Sequence, residues 1–459
     1  MQKHNAILLA FVAVGALVFW VLTSREAPAP TAAAPAPTAA SPSPQVAATL
    51  APTAPSAAPA PAVSATTPQT EAAPPQPTPS KPIDAGEPAQ AGEVGLFFTS
   101  NTLGELIDCG CRQNPLGGLA RRVKWINDRG ARYGGKVVVD TGGMLVADAG
   151  AATESREQQE ARWEVYMEAL AATGAQAVNV GAHELALPRA TLQAAADRHK
   201  VPLLSANLRN ADGSAAFQES ALIDVAGLKV GILGLVTANI PAKDRLLSAA
   251  GLQVVDPVTT AARIAKELKA KGAQLVVVAG QLRQDEIDGI GDKAPEVDLV
   301  LGSWEMDLTQ RPAFLGRGYH IDPYHKGKWI GEVRLRRATR GESDRWFVPD
   351  LRDKLSYEQG SLQRQIAYYT EQFQKDDAPG AVKAMTAQER KFAEERMVSL
   401  RAKLVRVNME FQGPIDQPEG GAALLVELVP VKTDLPEDAK TKAVVDAHHV
   451  KWPPPAVRH

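Results

Sequence analysis

Residues 94–122 read VGLFFTSNTLGELIDCGCRQNPLGGLARR, a run that holds both cysteines of the 459-residue chain. VGLFFT has no polar face, so it predicts a strand covered on both sides. GGLARRVKWINDRG then sets Leu119, Val123 and Ile126 along one helical face. KVVVDTGGML predicts a second buried strand closed by a glycine pair. SREQQEARWEVYMEALAATG predicts a long helix, AQAVNVGAHE a third strand running into a loop, ATLQAAADRHK a helix and VPLLSANL a strand. This alternation implies an α/β fold, a mostly parallel sheet with helical cover. ALIDV and KVGILGLVT flank the turn AGL and predict a hairpin. VTTAARIAKELKAKG, AQLVVVAGQ and EVDLVLGS resume the alternation, and HKGKWIGEVRLRR adds a late strand.

A layered α/β domain is therefore expected over residues 93–340. In the remaining 341–459, SLQRQIAYYTEQFQ and TAQERKFAEERMVSLRAKL predict helices, LVRVNMEFQG and ALLVELVPV look strand-like, and PEDAKTKAVVDAHH closes with a short helix. This part reads as a small α+β C-terminal extension.

The opening 92 residues differ in kind. After residues 1–5, residues 6–22 (AILLAFVAVGALVFWVL) carry no charge. About 17 residues at ~1.5 Å each give roughly 25 Å, the short end of a membrane span. TSREAP follows where a cleavage motif would stand, so the segment reads as an uncleaved transmembrane signal-anchor, with a cleaved signal peptide as the alternative. Lys3 on one side and the cancelling Arg25 and Glu26 on the other keep residues 1–5 cytoplasmic and place the rest extracytoplasmically, in the periplasm. Residues 23–92 are nearly all Ala, Pro, Thr and Ser, too poor in large apolar groups to offset ordering entropy, and predict a disordered, semi-stiff linker. A formal charge of −2 gives no basic field for nucleic acid.

The order of FTSNTLGEL, GGLAR, VVVDTGG, VGAHE, LLSANL, GLKVGILGLV, VVVAGQL and LVLGSWEMD resembles the 5′-nucleotidase branch of the calcineurin-like metallophosphoesterases. The resemblance covers about residues 94–337. It implies a metallophosphoesterase-like fold with two metal ions held between Asp, His and Asn ligands at strand ends, where they generate hydroxide and neutralise phosphoryl oxygens. Matched position by position, the family's ligands fall on Asn101, Leu103, Gly143, Ala182, Gln281, Trp304 and Met306. Most of these side chains offer no atom to a hard divalent ion, so the resemblance implies a degraded dinuclear centre and lost hydrolase activity. His183 and Glu184 remain from the Gly-Asn-His-Glu motif, where the family histidine assists the leaving group. Cys-Gly-Cys-x-x-x-Pro-x-Gly-Gly-x-x-Arg-Arg further resembles a divergent bacterial branch that includes selenoproteins, which implies redox or nucleophilic use of the thiols.

Cys109 and Cys111 admit three readings. A structural disulfide would close almost no chain and stabilise little, and its small ring would be strained. A dithiol–disulfide couple would draw on Arg112, Arg121, Arg122 and the helix start near Gly118 to favour a thiolate. In the third, the two thiolates and His183, with Glu184 as a further ligand, hold zinc or copper. The candidate set is thus Cys109, Cys111 and His183 for chemistry, with Gly117, Gly118, Arg121, Arg122, Asp140 and Glu184 for ligand or anion binding. Gly117–Gly118 and Gly142–Gly143 also serve turn geometry, and Asp140 also suits a turn cap. His320 and His325 read as hydrogen-bonded or solvent-facing, and His448, His449 and His459 as uninformative. The functional expectation is a membrane-anchored thiol redox or soft-metal protein with a redox partner protein or small-molecule ligand. A non-catalytic binding module and a residual phosphoesterase are the alternatives.

Overall fold

A strand that is apolar on both faces needs cover on both, and the first strand obtains it. In the computed structural model, which describes residues 92–109, 115–146, 154–240, 243–309, 311–339, 345–377 and 385–453, β1 (Val94–Thr99) is buried throughout. The loop with Cys109 leads to α1 (Leu119–Gly130) and β2 (Gly135–Asp140). Next come α2 (Arg156–Thr173), β3 (Ala177–Asn179), α3 (Arg189–His199), β4 (Leu203–Leu204), β5 (Leu208–Asn210), β6 (Ser220–Val225) and β7 (Leu228–Val236). They are followed by α4 (Lys243–Ala250), β8 (Leu252–Val254), α5 (Pro257–Ala270), β9 (Leu275–Gln281), α6 (Gln284–Lys293) and β10 (Leu299–Leu301). The last third supplies β11 (Ala313–Leu315), β12 (Gly318–Ile321), β13 (Trp329–Arg336), β14 (Trp346–Phe347), α7 (Leu351–Asp376), α8 (Ala387–Glu410), β15 (Ala422–Pro430) and α9 (Ala439–Lys451).

Among the described residues the strands form two large sheets, ordered β14-β15-β13-β1-β2-β3-β4 and β11-β12-β10-β9-β7-β6, besides a short β5-β8 pair. Val94, Leu96 and Phe98 of β1 share one core with Leu275, Val277 and Ala279 of β9, so the two sheets pack face to face. The alternate residues point outward: Phe97 packs in a second core with α1 and α2, and Val276 and Val278 in a third with α5 and α6. The period-two alternation of these runs thus yields helix, sheet, sheet, helix, where one covered sheet was expected. The first sheet is mixed, with β1 parallel to β2 and antiparallel to β13. The predicted hairpin is β6–β7, turning on Ala226 and Gly227, both at positive φ.

The strand expected at LVRVNMEFQG is absent; those residues continue α8 to Glu410. Leu400, Leu404, Val407 and Phe411 recur at helical spacing and pack into the core between the sheets, which decides the local structure. On either side of position 340 the strands share one sheet: β15 pairs with β13 from Trp329↔Pro430 to Arg336↔Ala423. Arg311 ties α7 and α8 to the second sheet, its guanidinium reaching Glu410 at 2.7 Å and Glu358 at 2.6 Å. The membrane-anchor segment 6–22 and most of the linker lie outside the described residues. Among the described residues no helix is long and apolar enough to cross a membrane.

Candidate functional site

The loops that follow β1, β2 and β3 meet those that follow β9, β10 and β12, and backbone bonds lock them together. Asn101, Leu103 and Gly104 donate their N–H groups to the carbonyls of Gly142, Gly143 and Met144, and Lys326 donates its N–H to Asn101 O at 2.8 Å. Among the described residues eight non-glycine positions have positive φ, and five lie on these loops: Asn101, Leu103, Met306, Tyr324 and Lys326. Backbone held in the left-handed region is costly for such side chains, and it persists where surrounding contacts over-determine it.

The positions matched to metal ligands are occupied by a neutral amide bridge. Gln281, at the end of β9 and fully buried, donates Nε2–H to Asn101 Oδ1 at 2.6 Å and accepts the Ala182 N–H on Oε1 at 2.9 Å. Asn101 in turn donates Nδ2–H to the Ser303 carbonyl at 2.7 Å. A Cβ at Gly143 would stand 2.4 Å from both Asn101 Oδ1 and Gln281 Nε2, and one at Gly181 would stand 2.0 Å from Gln281 Oε1. A pair of divalent ions needs converging carboxylate, imidazole and carbonyl donors with room between them. The residues present do not fit such a pair: glycine and alanine stand at two ligand positions, and the amides are spent on one another.

Glu184 is a clamp. Its carboxylate accepts the backbone N–H groups of Gly143, Met144 and Gly181 at 3.1, 2.6 and 2.9 Å, joining the loop after β2 to the loop after β3. Asp140 is buried beneath it and accepts Thr99 Oγ1–H at 2.5 Å and the Gly142 N–H at 2.8 Å. Burial pushes its carboxyl up to about 7, against both hydrogen bonds. His183 is buried, its Nδ1 has no hydrogen-bond partner, and its ring lies 5.5 Å from that of Trp304. Burial lowers its basicity while Glu184 opposes the shift. Arg283 lies over the Trp304 ring at 5.4 Å.

Cys109 is half-buried at the neck of a two-armed stem. Its N–H donates to Leu116 O at 3.0 Å, Asp108 and Gly117 form a bridge, and the Gly117 N–H reaches Val431 O just beyond β15. Gly117 and Gly118, at φ 111° and 110°, take backbone conformations that other residues rarely adopt. Arg121 braces the stem through the Gly117 carbonyl at 3.1 Å, Asp108 at 3.8 Å and Glu437 at 3.0 Å. Arg122 is buried and packs over Gly327. Cys111 and Arg112 lie outside the described residues, as does His459.

Two of the other histidines belong to β12 and the rim loop that follows it, His320 in the strand and His325 between Tyr324 and Lys326. His320 bonds the Gly302 carbonyl at 3.1 Å and burial lowers it to about 4. His325 packs on Tyr324, and His448 lies in α9 against Trp452. Beside His320, and missed in the sequence, Asp322 accepts a hydrogen bond from Ser303 Oγ and another from the Tyr324 N–H. Burial pushes its carboxyl up to about 8, with Asp307 and Glu305 adding repulsion. Because this folded value lies above the unfolded one, the protonated acid stabilises the fold at low pH, and that contribution is lost as pH rises through 8. Asp322→Asn removes the charge, its Oδ1 accepting the Tyr324 N–H and its Nδ2–H donating to Ser303 Oγ once that hydroxyl turns. It is expected to stabilise by on the order of 2 kcal/mol at pH 9 and by almost nothing at pH 4, read from urea midpoints.

Neither protein-family models nor curated proteins yield a match to the chain. Solved structures do. A 5′-nucleotidase precursor from Thermus thermophilus aligns with TM-score 0.51 and 17% identity, over 78% of this chain and 59% of its own. The sulfate thiohydrolase SoxB from the same organism, in complex with glycerol, aligns with TM-score 0.51 and 16% identity, over 78% of this chain and 60% of its own. The chain thus spans about three-fifths of the length of these structures. The two face-to-face sheets with helices on both outer sides are therefore a fold that this chain shares with these two structures.

Proposed function

We propose that this chain is a membrane-tethered, extracytoplasmic thiol protein built on a 5′-nucleotidase fold whose dinuclear centre has been replaced. The observation that carries this reading is the Gln281–Asn101 amide bridge, which takes two of the matched ligand positions and leaves the thiol of Cys109 as the nucleophile beside them. In the proposed cycle one thiolate attacks a disulfide of a partner protein, forming a mixed disulfide and releasing one partner thiolate. The second thiol then displaces the other partner sulfur, leaving Cys109 bonded to Cys111 and the partner reduced. His183, buried with an Nδ1 that has no hydrogen-bond partner, is the imidazole proposed to accept the thiol proton.

A second reading, a non-catalytic binding module, is favoured by Trp304, a half-buried ring flanked by Arg283 where the family has a ligand. Thiol titration and metal analysis of the full-length chain separate these. The thiol reading expects a disulfide that reduction converts to two titratable thiols, no bound divalent ion, and disulfide exchange lost in Cys109→Ser and Cys111→Ser. Zinc or copper that leaves with either cysteine makes the site a thiolate–metal centre. Unchanged exchange in both variants favours the module, and Mn²⁺-dependent phosphate release lost in His183→Ala overturns the replacement of the hydrolytic centre.

A further inference from the structure

We infer that Gln281 is a positioning residue for the Cys109 stem; the inference rests on the thiol reading only in what the stem is for. A pair of metal ions between strand-end loops would also hold those loops in register. Here the backbone bonds and the Glu184 clamp hold the loops after β1, β2 and β3, and the Gln281 amide adds the link from β9 to the loops of Asn101 and Ala182. Gln281 fixes Asn101 Oδ1 at 2.6 Å, and the Asn101 carbonyl fixes the Lys326 N–H at 2.8 Å. Lys326 and Gly327 lie directly under the stem: a Cβ at Gly117 would stand 3.3 Å from the Lys326 carbonyl and 3.6 Å from the Gly327 carbonyl. The same Cβ would stand 3.6 Å from Cα of Asp108, the residue before Cys109. Asn101 and Lys326 both sit at positive φ, so neither holds its conformation without such partners. Ala182 N–H on the other end of the Gln281 amide ties in the loop that carries His183. One fully buried side chain therefore links the loop beneath the cysteine stem to the loop of the histidine, beside the backbone bonds and the Glu184 clamp.

The amide can serve because it donates and accepts at once. A glutamate keeps the shape and the acceptor for Ala182, but it can donate to Asn101 only while protonated. A leucine can do neither. The test is the pH profile of Cys109 alkylation by iodoacetamide under reducing conditions, in the full-length chain carrying Cys111→Ser. Gln281→Leu is expected to raise the rate about tenfold at every pH by loosening the stem. Gln281→Glu is expected to match the parent at low pH and to gain an additional step as the new carboxyl ionises. Leu268→Ala, a truncation in the outer core on α5, controls for general loss of stability.

An identical profile in parent and Gln281→Glu, with both chains folded by circular dichroism, overturns the positioning role. If Gln281→Leu does not fold, the glutamate profile alone decides. An ordinary small-thiol rate for Cys109 in the parent sinks the thiol reading instead. The comparison among the Gln281 variants still reports on the stem in that case.

Discussion

Arg129→Met should unfold at a far lower urea concentration than the parent chain, with a loss of about 3–5 kcal/mol. Glu332 stands in the middle of β13, buried and directly opposite Glu427 of β15. Its charge is held by Arg129 from α1, with Nε at 2.8 and 3.0 Å from the two carboxylate oxygens, and by the hydroxyl of Tyr133. Arg129 also reaches Glu427 at 3.7 Å. Removing the guanidinium leaves a carboxylate deep in the sheet facing a second one, which costs far more than the pair contributes when intact. Replacing both partners, Arg129→Met with Glu332→Leu, should recover most of the loss, because neither charge then remains buried. A double variant as unstable as the single one would show that packing of α1, not charge, sets the cost.

Gly143→Asp restores the residue type that the nucleotidase pattern has at the bridging position, and it should be among the most damaging single changes on the rim. The new Cβ would meet Asn101 Oδ1 and Gln281 Nε2 at 2.4 Å, in a backbone with φ 79°. A buried carboxylate would also arrive beside Glu184, which already accepts the residue 143 N–H. Overpacking, left-handed strain and an unpaired buried charge add to roughly 3–5 kcal/mol, and Mn²⁺ should not restore stability. Gly143→Ala separates the steric part. Rescue of the aspartate variant by Mn²⁺ would mean that Gln281 and Asn101 can still turn to serve an ion.

The sequence foretold what depends on local pattern. β1, β2 and β7 are long apolar runs whose burial on both faces leaves few alternatives, and Gly227 gives the β6–β7 turn one residue that takes positive φ freely, with Ala226 drawn into it. Less could be read where partners lie far apart in the chain. Glu332 and Arg334 look like a solvated face of a strand until α1 brings Arg129 over them. Gln281 appears in the sequence only as a missing histidine, and its bond to Asn101 spans 180 positions. Arg121 reads as a free cation near the thiols, yet Asp108 and Glu437 take it up. The neighbourhood of β15 could not be read at all, since nothing in ALLVELVPV says that its two neighbours are β13 and β14.

That placement of β15 governs how the molecule is made. The strand beside β1 stays half-paired until residues 422–430 have left the ribosome, more than 300 positions after β1 began. Until then the backbone groups of β13 form an open edge, the kind of surface that recruits foreign strands. Completion of the first sheet is thus a late event in the life of the nascent chain. Any shortened product ending before Ala422 would carry that edge permanently, a ready seed for aggregation whatever the state of its cysteines.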